Sequence, residues 1–238
     1  MQVDLLAFGA HPDDVELGCG GTLLNYIAQG NSVAIVDLTQ GELGTRGTLA
    51  IRKQESINAA KILGITDRKN LTFKDALFKE DEQHQLKIIE IIRYYKPKIV
   101  LTPAIYDRHP DHGKANRLIT NACFYAGLKN IKSSFEGNEQ EAWRPNVVYH
   151  YIQAINMKED FVIDISNVMD KKMEAILAYK SQFYDANSKE PATYISNPEF
   201  LDFVKARAVD MGHRIQVKYG EGFVKSRSIG LSDIGNLI

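Results

Sequence analysis

An α/β fold, with a mostly parallel sheet flanked by helices, is predicted by three features of the sequence. Short apolar runs rich in β-branched residues alternate with longer stretches of helical periodicity between residues 3 and 104. Glycine, proline and asparagine fall between these runs, where turns are needed. Each strand–helix pair takes about 30 residues, the length of a right-handed βαβ crossover. The rhythm changes after residue 104, which predicts a Rossmann-like core carrying a C-terminal α/β elaboration, one domain over residues 1–238.

The elements follow in order. "VDLLAFGA" (3–10) is short, apolar and followed by turn residues, as a buried strand is. "GGTLLNYIAQGN" is a helix closed by Gly30, with Asn31 opening the next turn. "SVAIVDLT" (32–39) is a second strand, and 46–65 is a helix with Leu49, Ile57, Ala60 and Ile62 at helical intervals. "NLTF" (70–73) is a short strand. A helix over 81–97 carries the stripe Leu86, Ile89, Ile91 and Ile92 and ends at Pro97. "KIVLTPA" (98–104) is a strand and 112–128 a helix; 129–145 is polar and expected to be an exposed excursion. Strands at 146–153 and 161–166 extend the sheet, and helices follow at about 168–181 and 197–212. The segment 220–238, bearing glycine and serine, fits no element, and neither it nor 129–145 shows a role.

Bulk properties exclude several functions. The formal net charge is -1, so no global field attracts nucleic acid or an anionic membrane, and neither is an expected partner. Two cysteines, Cys19 and Cys123, are far apart and lack CxxC spacing, which argues against a disulfide framework and for a reducing cytoplasm. The N-terminus lacks the basic region of a signal peptide, and no apolar run reaches the roughly 18–20 residues of a membrane span.

Two stretches carry chemistry. "AHPDDVELGCGGT" (10–22) and "YDRHPDHGKAN" (106–116) each place His-Pro-Asp after a predicted parallel strand. The carboxyl ends of such strands face one crevice, so the clusters converge there. His11 and Asp14 are three apart across a proline-stiffened turn, as are His109 and His112. Three such groups suffice for a catalytic metal, leaving others to act as base, acid and orienting partner. One aspartate before a helix is commonly an N-cap, but capping does not account for two His-Pro-Asp clusters. His84 and His150 read as histidines without a role, and "GCGG" is a weak phosphate-loop signal because the GxGxxG spacing is absent. A Rossmann-like binding module and a two-metal phosphoesterase are the rival readings.

These motifs, with "TQGELGTRG" (39–47), "IRKQES" (51–56) and "KARAVDMGHRIQVKYGEGF" (205–223), resemble the LmbE/PIG-L family of zinc-dependent de-N-acetylases over most of the chain. The branch most resembled is the bacillithiol-pathway deacetylase acting on N-acetylglucosaminyl malate. The resemblance implies one zinc, or another divalent metal, held by His11, Asp14 and His112, with Asp13 as general base. It implies that His109 stabilises the oxyanion or protonates the leaving amine, and that Asp111 orients the His109 imidazole. Arg52, Asp75 and Arg108 are the implied substrate contacts, with Arg52 standing outside any core ion pair. Asp75 lies in "FKDA", a departure from the family's commoner "LPDG". An N-acetylated amino-sugar substrate and a homo-oligomer, such as a hexamer, are the implied partners.

Overall fold

The computed structural model describes residues 2–231, 235, 237 and 238. In chain order its elements are β1 (Leu5–Gly9), α1 (Asp14–Ala28), β2 (Val33–Thr39), α2 (Leu49–Leu63), β3 (Asp67–Phe73), α3 (Glu82–Tyr95), β4 (Ile99–Thr102) and α4 (Pro110–Tyr125). Then come β5 (Ser134–Phe135), β6 (Asn138–Glu139), β7 (Val147–Tyr151), β8 (Phe161–Asp164), α5 (Met169–Leu177), a single 3-10 turn (Tyr194–Ser196), α6 (Phe200–Arg214) and β9 (Gly220–Lys225).

Seven strands form one sheet in the order β3-β2-β1-β4-β7-β9-β8. The first five are parallel; β9 runs antiparallel to both β7 and β8. β1 is central, with Gly9 opposite Asp37 of β2 and Ala7 opposite Leu101 of β4. Every residue of β1 is buried, because helices cover both faces of a parallel sheet. Leu6 and Phe8 face α3 and α4, while Leu5 and Ala7 face α1 and α2. The parallel alignment of β1, β2, β4 and β7 brings their carboxyl ends to one rim.

Several boundaries and environments differ from the sequence expectation. α1 starts at Asp14, so the aspartate pair sits at the helix start, and it is kinked at Cys19 (φ -145°, ψ 16°). The glycines there serve packing: a Cβ at Gly18 would lie 2.2 Å from the Tyr151 ring, and one at Gly21 would lie 2.8 Å from Ile165. Past the kink, the freed N–H groups of Gly21 and Thr22 donate to the Glu221 carboxylate at 2.9 and 2.7 Å. On α2 the buried face is Arg52, Glu55, Ser56, Ala59, Ala60 and Leu63, while Leu49 and Ile57 are exposed.

The 129–145 excursion is not simply exposed. It forms the β5–β6 ribbon, and Ile131, Phe135 and Trp143 pack half-buried on the core. Fully buried Arg93 anchors it by donating to the carbonyls of Leu128 and Ile131 and to Ser133 Oγ at 2.9, 2.7 and 2.8 Å. The segment from 220 begins with strand β9, which carries Glu221; residues 232–234 and 236 of that segment, like Met1, lie outside the described residues. No helix among the described residues is long and apolar enough to cross a membrane.

Candidate metal centre and active site

The two His-Pro-Asp turns are built alike. Asp14 N–H donates to the His11 carbonyl at 3.3 Å, and His112 N–H donates to the His109 carbonyl at 3.1 Å. Pro110 opens α4, where a missing N–H costs nothing, and His109 caps it by accepting from Asp111 N–H at its Nδ1, 3.2 Å away. The turns follow β1 and β4, adjacent strands, so His11, His109 and His112 meet with ring centroids 4.7 to 5.8 Å apart.

At the centre lies the Asp14 carboxylate, 3.6 Å from His11 Nδ1 and 3.0 Å from His112 Nε2. Each histidine's other nitrogen is held by a carboxylate. His112 Nδ1 is 2.5 Å from Asp107, and His11 Nε2 is 3.1 Å from Asp75 and 3.3 Å from Asp111. Such outer carboxylates fix ring orientation and raise basicity, as they do around metal-binding histidines. Donor atoms of His11, His109 and His112 lie within 4.8 Å of one another, as do those of His11, Asp75 and Asp111.

Electrostatics agree with that chemistry. Burial lowers the pKa of His11 and His112, but carboxylates outweigh it. Asp111, Asp14 and Asp75 carry His11 well above its usual value, and Asp14 and Asp107 raise His112 to about 9. Burial raises Asp14, yet His112 and His11 hold its carboxyl well below the usual range. Five buried carboxylates crowd three histidines, so the cluster stabilises positive charge at its centre. Two histidines and a carboxylate of this kind fit a divalent cation.

Asp13 is placed differently. It occupies the N-cap position of α1 with φ 114°, a left-handed conformation unusual for a residue other than glycine, and among the described residues it makes no side-chain cap bond. Its carboxylate is therefore not spent on the helix. Burial, opposed by Arg52, raises it to about 7.

Two expectations are corrected. Arg52 does not stand outside the ion pairs: it is buried, and its Nη2 donates to the Pro12 carbonyl at 2.7 Å and lies 3.4 Å from Asp13 Oδ2. Asp111 does not orient the His109 imidazole with its carboxylate. That carboxylate meets His11 Nε2, Lys114 Nζ at 2.8 Å and Ala76 N–H at 3.0 Å, because the first turn of α4 sends it away from His109. Burial and the neighbouring histidines lower the pKa of His109, and because its Nδ1 accepts from the Asp111 N–H, Nε2 is the ring nitrogen placed to donate.

A cavity of about 170 Å³ opens on this centre. It is lined by the histidines and aspartates, Asp75 among them, with Arg52, and by the apolar groups Leu17, Tyr194, Ile195, Phe200 and Phe203. Exposed Arg108 stacks over the Tyr194 ring at 4.1 Å and has no carboxylate partner among the described residues. Sequence reasoning missed Asp107, Gln153 and Arg207, which also line the cavity. Asp107 left a signal as the first acidic residue of "YDRHPDH", and Arg207 lies in the segment "KARAVDMGHRIQVKYGEGF", whereas nothing in the sequence marked Gln153.

The first half of the chain matches a known family. A family model described as GlcNAc-PI de-N-acetylase (PIG-L) matches residues 6–123. The diacetylchitobiose deacetylase of Thermococcus kodakarensis is 33% identical over 195 residues, covering 75% of this chain and 70% of that protein. This chain belongs to the PIG-L family. A probable N-acetyl-alpha-D-glucosaminyl L-malate deacetylase 2 of Bacillus subtilis is 30% identical, over 76% of this chain and 84% of its own. The crystal structure of the conserved protein TT1542 from Thermus thermophilus superposes with a TM-score of 0.86 at 35% identity, covering 98% of this chain and 99% of that one. As a PIG-L family member the protein is an enzyme of the deacetylase class, and both histidine turns lie within the matched region.

Proposed function

We propose that this enzyme hydrolyses the acetamide of an N-acetylglucosaminyl compound, with N-acetylglucosaminyl malate as the substrate. The observation that carries the reaction is the pairing of a buried Asp13 carboxylate, which makes no helix-cap bond, with the adjacent His11–Asp14–His112 donor set. The observation that favours an anionic aglycone is Arg108, stacked on Tyr194 at the cavity wall with no carboxylate partner among the described residues. The rival nucleotide-binding reading fits less well. Asp37, at the end of β2 where a ribose would be held, is engaged by Arg68 at 2.8 and 2.9 Å.

The proposed ligands are His11, Asp14 and His112, binding one zinc or a comparable divalent ion per chain. Such an ion supplies Lewis acidity to the acetyl carbonyl and makes a water more acidic. Asp13 accepts the proton of the attacking water at its carboxylate, and the water oxygen bonds to the acetyl carbon. His109 donates a hydrogen bond from Nε2 to the developing oxyanion. As the carbon–nitrogen bond breaks, Asp13 returns the proton to the amine, and acetate leaves. Arg52 aims Asp13 and lowers its pKa against the effect of burial, while Arg108 and Asp75 contact the substrate.

Cys19 and Cys123 are free thiols, which fits the proposed cytoplasmic location. Assembly as a homo-oligomer belongs to the same proposal and is read by light scattering. The deciding experiment measures acetate release from N-acetylglucosaminyl malate, diacetylchitobiose and N-acetylglucosaminyl inositol, with and without chelator. Chelator-sensitive release, fastest from the malate compound, is expected. Release from diacetylchitobiose alone would overturn the substrate, and release from none would overturn the reaction.

A further inference from the structure

We propose that Gln153 is a positioning residue whose side-chain amide fixes the rotation of the Asp14 carboxylate and thereby sets the affinity of the centre for its cation. This rests on the reading of Asp14 as a ligand.

Gln153 is buried and stands just beyond β7, at the same sheet rim as the two histidine turns. Its Oε1 accepts from the Ala104 N–H at 3.1 Å, which settles which end of the amide is which. Nε2 must then point inward, and it donates to Asp14 Oδ1 at 2.9 Å and lies 3.4 Å from His112 Nε2. The other oxygen, Asp14 Oδ2, accepts from His11 N–H at 2.9 Å. Apart from the His112 and His11 ring nitrogens, which face the same carboxylate at 3.0 and 3.6 Å and would turn to a bound cation, the carboxylate is pinned by one donor at each oxygen. With a single donor it swings about that bond; with two its plane is set.

The backbone of Gln153 is held to the helix that carries Asp14. Arg207 Nη1 donates to the Gln153 carbonyl, and Arg207 Nη2 donates to the Leu17 carbonyl at 3.3 Å. Leu17 lies three residues after Asp14, and its carbonyl is free because α1 is kinked at Cys19 and Gly21 N–H donates to Glu221 instead. Lys172 Nζ also reaches that carbonyl, at 3.1 Å. One guanidinium thus ties the end of β7 to the first turn of α1, and the Gln153 amide closes the link onto Asp14.

The test replaces Gln153 by Met, similar in length but without a donor. The zinc dissociation constant is measured by competition with a chromophoric chelator, alongside kcat, KM and thermal melting of the metal-free protein. Weakening of zinc binding by about 10–100-fold is expected, with a fall in kcat and an unchanged KM. Gln153→Asn keeps the amide but withdraws it by one methylene. It is expected to weaken zinc similarly, and it carries the test if the Met variant does not fold. Zinc affinity within twofold of wild type in a folded variant overturns the proposal, as does a lowered melting temperature with unchanged affinity. A wild-type protein that binds no zinc overturns the ligand reading itself, a separate outcome.

Discussion

The carboxylate of Asp13 and the guanidinium of Arg52 are buried together 3.4 Å apart, on either side of the turn that carries His11. Arg52 is thereby both a structural cation and a regulator of its partner. Removing it leaves a buried carboxylate unpaired, which costs about 3–5 kcal/mol for a buried pair. Arg52 also lowers the pKa of Asp13 against the effect of burial. Arg52→Ala is therefore expected to lower the melting temperature and to move the acidic limb of the pH–rate profile upward, because the base gains its proton at higher pH. A limb that stays in place or moves down would show that Asp13 does not report that limb.

Asp13 itself separates fold from chemistry. Asp13→Asn keeps shape and removes basicity, so zinc is retained and kcat falls about 10²–10⁴-fold. Asp13→Gly also removes the base, yet relieves a φ of 114° that costs on the order of 1–3 kcal/mol. That variant is expected to be inactive and to melt higher than Asp13→Asn. Equal melting points, measured by calorimetry without metal, would refute stored strain at this residue.

His112 and Asp14 are tested by metal content. His112→Ala and Asp14→Asn are both expected to lose zinc after dialysis, whereas Asp13→Asn keeps it. Elemental analysis showing full occupancy in His112→Ala would remove that residue from the ligand set. Loss of zinc by Asp13→Asn with retention by Asp14→Asn would exchange the two roles.

His150, behind the site, is predicted to govern acid stability. Its Nδ1 accepts from Asn116 Nδ2 at 2.8 Å, and burial lowers its pKa to about 4. The unfolded chain binds this proton near 6.5, so between the two values the unfolded state holds more protons. The neutral histidine's contribution is complete above about pH 6.5 and is lost as pH falls towards 4, a total of about 3 kcal/mol. His150→Gln keeps an acceptor for Asn116 and does not titrate. Denaturation curves between these pH values should flatten in the variant; an unchanged slope would place the acid sensitivity elsewhere.

Proximity in sequence was a good guide to the backbone turns and a poor one to side-chain partners. His11 and Asp14 meet because a tight turn brings residues three apart together, and the same holds for the His109–His112 backbone bond. Asp111, two residues from His109, instead serves His11, 100 positions away, because the start of α4 rotates its side chain towards β1. Gln153 meets Asp14 across 139 positions, and its type carries neither charge nor acid–base chemistry to draw notice. Arg52 meets Asp13 across 39 positions, a pairing the motif "IRKQES" does not announce.

Local patterns along the chain set the parallel α/β core, the placement of two His-Pro-Asp turns after its strands and their convergence on one rim. These follow from period-two and helical patterns, which are local and decide which faces are buried. Long-range packing is what leaves Asp13 free of a helix-cap bond, pairs Arg52 with it and brings Asp107 and Gln153 to the candidate ligands. It also placed β9 between β7 and β8, carrying Glu221 to the α1 kink. The physical reason is range. A hydrogen bond is made or lost within about half an ångström, and between distant segments that distance is set by how whole helices pack on the sheet.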